Sequence, residues 1–143
     1  MPSRNSAPRG FVVSPDGGLP LPAAGGVVLA SSADTGGHFT LIRSHAPAGD
    51  QVPLHIHAAE DECFYVLEGD YSITCGDDIF HAGPGAFVYL PRQVPHGYAV
   101  GTTAATKLIL AVPAGLEAFF DDLAAGLSTD EITHRHHVTF LSE

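Results

Sequence analysis

The chain has 143 residues, with six Lys and Arg against sixteen Asp and Glu and a formal net charge of −10. That length suits one domain with a single core. Its few basic residues are scattered, which disfavours nucleic acid and anionic membrane surfaces as partners, because no basic stripe is present to neutralise phosphates.

Sixteen Gly and eleven Pro suit many short strands joined by tight turns. No apolar run reaches transmembrane length. The polar first ten residues lack the apolar core of a signal peptide, so a cytoplasmic protein is expected. Cys63 and Cys75 make no disulfide framework and read as two buried free thiols.

In chain order, residues 1–10 read as a mobile tail and residues 11–13 as a short edge strand. Pro15-Asp-Gly-Gly and Leu19-Pro-Leu-Pro predict a loop. Residues 25–31 and 38–44 read as strands on either side of a turn at residues 34–37. In the second of these, Phe39 and Leu41 lie on one face and Thr40 and Ile42 on the other. Residues 46–50 turn the chain into a strand at 52–57. A strong strand follows at 62–68, with Phe64 and Val66 on the face of Glu62 and Cys63 facing away. A hairpin turn at Glu68-Gly-Asp leads to a strand at 71–75, and a turn at 76–78 to a short one at 79–81. Residues 86–90 make the next strand and residues 91–95 a loop. Strand 96–100 carries Tyr98 on the face of His96, and residues 104–112 make the last core strand.

Beyond Pro113-Ala-Gly, Leu116, Phe119, Phe120, Leu123 and Leu127 recur at helical spacing, with Gly126 as terminator. The Phe119–Phe120 pair is expected to staple that helix to the core rather than to build a cofactor site. Ile132 and residues 138–141 close the chain as an edge strand or a dimer arm.

Four residues carry the chemistry. His55 and His57 are two apart, which on a strand puts both imidazoles on one face. Glu62 follows after a short polar turn that lets the next strand return alongside. Two neutral imidazoles and a carboxylate converging on a point make a first-row transition-metal site, and His96 is the best candidate for a fourth ligand. The His-Arg-His-His run at 134–137 could be a second metal site but reads as a solvated tail. His38, His45 and His81 lack partners at ligand spacing and read as structural.

At these positions the chain resembles the cupins. Gly49, His55, His57, Glu62 and Gly69 match every fixed position of the motif G-x5-H-x-H-x(3,4)-E-x6-G. Gly85, Pro91 and His96 match the second motif, G-x5-P-x-G-x2-H-x3-N. Gln93 replaces its second glycine, which predicts a different turn before His96, and Val100 replaces its asparagine. The resemblance implies an all-β fold, a double-stranded β-helix or jelly-roll barrel with a short C-terminal α-helix. It divides the chain into a tail and loop at 1–24, a barrel at 25–112, and a helix and tail at 113–143. A single copy of the motif makes this a single-barrel protein, expected as a homodimer.

The ligand set implies one divalent transition metal per chain: Fe, Ni, Mn, Co, Cu or Zn. Open positions on such an ion suit catalysis. Asp61-Glu-Cys-Phe-Tyr-Val-Leu-Glu-Gly, Ala82-Gly-Pro-Gly-Ala-Phe-Val-Tyr-Leu-Pro and Val112-Pro-Ala-Gly-Leu-Glu-Ala-Phe-Phe resemble the quercetin-dioxygenase-like cupins. That implies a dioxygenase acting on a flavonol or similar enolic aromatic. His55, His57, Glu62 and His96 would hold the metal, Glu62 would be the catalytic base, and Phe64, Val66 and Tyr98 would form the substrate wall. A zinc-dependent polyketide cyclase or isomerase and a non-enzymatic small-molecule-binding cupin are the alternatives.

Overall fold

The computed structural model describes residues 8–141, and within them strand alternation builds two antiparallel sheets. The strands are β1 (Leu19–Leu21), β2 (Gly26–Ala30), β3 (Thr40–Ala46), β4 (Gln51–His57), β5 (Asp61–Glu68), β6 (Tyr71–Cys75), β7 (Asp78–Ala82), β8 (Phe87–Leu90), β9 (His96–Val100), β10 (Ala105–Val112) and β11 (Val138–Phe140). One sheet has the order β1-β2-β3-β10-β5-β8, the other β11-β4-β9-β6-β7. The helices are α1 (Ser32–Thr35), α2 (Leu116–Ala124) and α3 (Thr129–His136). This is the all-β double-stranded β-helix expected from the sequence, with short C-terminal helices.

Alternation decides what fills the space between the sheets. On β3 the buried residues are Thr40, Ile42, Ser44 and Ala46; on β5 they are Glu62, Phe64 and Val66; on β10 they are Ala105, Lys107, Ile109 and Ala111. Apolar side chains at these period-two positions make the core, and the polar ones among them face each other in the interior. The expected hairpin turn at Gly69 has a steric reason. Its φ is +77°, and a Cβ there would lie 2.6 Å from the Ala104 carbonyl oxygen.

Several local expectations change. Residues 11–13 form no strand and are largely exposed. The sheet edge is taken instead by β1, inside the stretch expected to be a loop, paired through Leu19↔Val28 and Leu21↔Gly26. Pro20 is tolerated because an edge strand has an unpaired side. Residues 22–24 form a 3-10 turn. The turn expected at 34–37 begins with α1, closed by a reciprocal Ser31–Asp34 capping box. Of the run at 134–137, expected to be a solvated tail, residues 134–136 are the last turn of α3, whose N-cap Ser128 side chain accepts from the Glu131 N–H. That cap was written in the spacing Ser-x-x-Glu. β11 pairs with β4 as an edge strand. Cys75 is buried but Cys63 is only half-buried. Residues 1–7 of the expected tail, and residues 142 and 143, lie outside the described residues. Among the described residues, no helix is long and apolar enough to cross a membrane.

Candidate metal centre

His55 and His57 come from β4 and His96 from β9 of one sheet, while Glu62 comes from β5 of the other, so the four meet between the sheets. His55 and His96 are register partners across the β4–β9 pair. That ladder shifts register between Val52 and His55. Pro53 lies within the shift, and proline, having no N–H, suits such an irregularity. All four residues are buried, and one donor atom from each lies within 4.8 Å of the other three.

Two of the three imidazoles are oriented by separate hydrogen bonds. His55 Nδ1 lies 2.8 Å from the Pro53 carbonyl oxygen and His57 Nδ1 lies 2.6 Å from Glu60 Oε1. Both partners can only accept, so both Nδ1 atoms carry the proton and both Nε2 atoms present a lone pair. His96 Nε2 is 2.9 Å from Glu62 Oε2. The alignment is not that of a hydrogen bond, and both ring nitrogens of His96 are buried with no hydrogen-bond partner among the described residues.

Buried polar atoms without partners are rare. An orphaned imidazole nitrogen facing a carboxylate and two further Nε2 lone pairs is the environment a cation completes. The residues present therefore fit a first-row divalent transition metal held by three nitrogens and one carboxylate.

The electrostatics agree. Burial pushes the Glu62 carboxyl up, but the neighbouring His96, His57 and His55 rings pull it down further, to about 2. Burial, with His96 next in weight, lowers the His55 imidazole to about 4. Glu62 is thus ionised and His55 neutral across the neutral range, the forms that ligate. For His57, burial favours the neutral ring, yet Glu60 and Glu62 outweigh it and raise its affinity for a proton.

The loop that presents His96 is pinned along its length. The Arg92 N–H donates to Asp61 Oδ1 at 2.8 Å, the Gln93 N–H to the His57 carbonyl at 2.9 Å, and the Pro95 carbonyl accepts from the Gly76 N–H at 2.9 Å. Within this loop, Gln93 stands where the second motif has glycine. Gln93 itself takes a φ of +71°, in the left-handed region a glycine enters without strain. Its side-chain amide donates to the Ala58 carbonyl at 3.2 Å.

Above the four ligands lies a cavity of about 200 Å³. Phe64, Tyr98 and Ile109 line it from the barrel, Leu116, Phe119, Phe120 and Leu123 from α2, and Phe140 from β11. The Phe119–Phe120 pair therefore does more than staple the helix: the Phe119 ring centroid is 5.7 Å from that of His57. Helix α2 is tied down at its start by Glu117, which accepts from Thr40 Oγ1 and the Ser32 N–H, each at 2.6 Å. Val66, expected in the wall, is wholly buried but does not line the cavity. A two-residue step along a strand is about 6–7 Å, which carries it from Phe64 into the core below.

Glu60 and the α2 side chains were not singled out in the sequence as site residues. The signal for Glu60 was present, a carboxylate three residues after His57 in the polar turn. The α2 residues gave only a helical stripe, which looks the same over a core as over a cavity. The run at 134–137, read as a solvated tail rather than a second metal site, is held in part by an ion pair between helices. His136 Nε2 lies 2.5 Å from Asp122 Oδ2, joining α3 to α2, and the metal cluster found among the described residues is the one at His55, His57, Glu62 and His96.

Residues 42–112 match the family model described as "Cupin domain". The quercetin 2,3-dioxygenase of Bacillus subtilis (strain 168) is 29% identical over 96 residues, which are 67% of this chain but 28% of that protein, so the chain spans little more than a quarter of it. Among solved structures, KdgF from a Halomonas species superposes with a TM-score of 0.56 at 17% identity, covering 62% of this chain and 76% of that one. An uncharacterised protein with a double-stranded β-helix domain from Klebsiella pneumoniae superposes with a TM-score of 0.55 at 15% identity, covering 80% and 90%.

Proposed function

The chain belongs to the cupin superfamily, and from that premise we propose that it is a metal-dependent dioxygenase of the quercetinase-like type, acting on an enolic aromatic substrate. The observation that carries the proposal is the Glu62 carboxyl, set among three imidazoles at the floor of a cavity walled by aromatic and aliphatic side chains.

His55, His57, His96 and Glu62 would hold the ion. When bound, it would supply Lewis acidity toward a substrate hydroxyl and, if redox-active, a route for electrons to dioxygen. Everything else falls to the chain. One Glu62 oxygen accepts the proton of the substrate hydroxyl. A carboxylate held at about 2 is a weak base, so it serves a hydroxyl that is already acidified. Phe64, Ile109 and Phe119 supply flat and apolar contact to an aromatic ring. Helix α2 closes the cavity against water.

The size of the cavity narrows the substrate. About 200 Å³ lies below the roughly 300–1,000 Å³ common for drug-sized ligands. A single-ring enol or catechol suits it better than a three-ring flavonol, which needs α2 to move outward.

Oxygen-electrode assays of protein loaded separately with iron, nickel, manganese, cobalt or copper test the proposal. Single-ring enols, catechols and flavonols serve as substrates. Uptake of dioxygen that depends on both metal and substrate is the expected result. Turnover that proceeds equally well under argon contradicts it and transfers the site to the zinc-dependent cyclase or isomerase class.

A further inference from the structure

Lys107 is a wholly buried lysine at an inward position of β10. No carboxylate among the described residues forms an ion pair with it. Its ammonium instead lies 4.2 Å from the ring centroid of Tyr98, 4.8 Å from Tyr71 and 4.9 Å from Phe64. An ammonium has three donors, and the one acceptor the structure gives it is Tyr98 Oη at 3.1 Å. Cation–π contact and the more distant charges of Glu62 and Asp50 recover part of the desolvation cost, but a buried charge with no carboxylate at ion-pair distance remains expensive. A methionine would fill the same length without that cost. The fold therefore does not need the charge, and features that break a local rule cluster at functional sites.

Two residues of this cage, Phe64 and Tyr98, reach the metal cavity. Tyr98 lines that cavity with Glu62, His96 and Phe64. Its hydroxyl oxygen is already engaged as an acceptor from Lys107, and among the described residues its own proton has no acceptor. A hydroxyl that accepts from an ammonium is polarised and becomes the stronger donor.

We propose that Tyr98 is a substrate-binding residue and Lys107 its positioning residue, together forming a cationic hydrogen-bond arm that gives the cavity a preference for a ligand bearing an anionic oxygen. The arm holds Tyr98 with its oxygen toward Lys107 and its O–H free for the ligand. The favoured class is an enolate or phenolate with a second oxygen beside the first. The inference deepens the function proposed above and rests on it. Transfer of the ligand's hydroxyl proton to Glu62 would leave the negative charge on the ligand oxygen, and the arm would answer that charge by hydrogen bonding.

The test uses zinc-loaded protein and two probes. 4-Nitrocatechol carries an ionisable oxygen pair and reports its ionisation by absorbance, whereas nitrobenzene is neutral and occupies the same apolar space. Wild type, Lys107→Met, Tyr98→Phe and the double variant are titrated with each probe. Their zinc content and melting temperature are also recorded.

The arm predicts that each single variant weakens 4-nitrocatechol about tenfold or more, because a hydrogen bond in a charged network is lost. The double variant should be no weaker than the singles, nitrobenzene should change by less than about twofold, and zinc should be retained. Unchanged 4-nitrocatechol binding in the variants, equal weakening of both probes, or loss of zinc would overturn the arm and leave Lys107 a structural residue. If Lys107→Met does not fold, Tyr98→Phe decides alone. Wild type that holds zinc but binds no 4-nitrocatechol would contradict the enolic-substrate proposal itself, and the arm with it. Equal binding by wild type and variants would contradict the arm only.

Discussion

His57 owes its orientation to Glu60, whose carboxylate accepts a hydrogen bond from Nδ1–H at 2.6 Å and so turns the Nε2 lone pair inward. Partners of this kind are commonly worth about 10–100-fold in metal affinity. Glu60→Gln should weaken zinc binding within that range, measured by competition with a chromophoric chelator; unchanged affinity would show that strand geometry alone orients the ring. Lys107 makes a second prediction at this scale. Burial lowers its ammonium from 10.5 to about 8. Below about 8 the group is charged in both the folded and the unfolded chain, and the full cost of burial is felt. Between about 8 and 10.5 the folded protein releases the proton while the unfolded chain keeps it, so stability rises with pH over that window. Relative to Lys107→Met, wild type should gain about 3 kcal/mol across it. Urea denaturation of both proteins at several pH values, with other titrating groups cancelling in the difference, measures this. A pH-independent difference would mean that the lysine keeps its ordinary affinity for protons.

Helix α2, which lines the cavity, is joined to α3 on its other side. Asp122 on α2 meets His136 at 2.5 Å and Arg135 at 3.4 Å, both from α3. The hydrogen bond from His136, with the Arg135 charge, holds the Asp122 carboxyl below its usual range. Its folded affinity for protons is thus depressed, so the clamp contributes above the ordinary carboxylate range and is lost as pH falls through it. Asp122→Asn should speed amide hydrogen exchange in α2 and α3 at neutral pH while leaving the strands protected. Equal protection in both proteins would show that apolar packing alone seats the helices. These elements also mark where sequence reasoning stopped. The strands of the motif were legible because period-two alternation and Gly, Pro and Asp turns carry local information. The α2 stripe was legible as a helix, but which surface it covers depends on tertiary placement. The cap Ser128-x-x-Glu131 announced α3, yet the polar composition of that segment suggested a tail. At Gln93 the backbone is left-handed without a glycine, and the His57 and Ala58 carbonyls hold it there by accepting its backbone and side-chain amide N–H groups.

On the scale of the whole molecule, the convergence of His55, His57 and Glu62 could be read from spacing because His-x-His on one strand and Glu on the next need only alternation and a turn. His96 needed the closing of the barrel, for which the second motif stood in. The cage around Lys107 had no local signature, since its three rings come from β5, β6 and β9, brought together only by the fold. The outer surface bears on assembly. Tyr65 and Leu67 on β5 and Phe87 and Tyr89 on β8 are exposed, with Tyr65 opposite Phe87, and β8 is a sheet edge. We propose that this face pairs with a second copy, giving the homodimer expected from the sequence. Sedimentation equilibrium should find a dimer that Tyr89→Lys shifts toward monomer; a monomer at every concentration would contradict it.

The central claim is that His55, His57, Glu62 and His96 hold one metal ion between the sheets. Elemental analysis of protein purified from several growth media, beside His57→Ala with its fold checked by circular dichroism, tests it most directly. The account predicts close to one divalent transition metal per chain in wild type and its loss in the variant. A folded wild type without metal in every medium, or a variant that retains it, would contradict the claim.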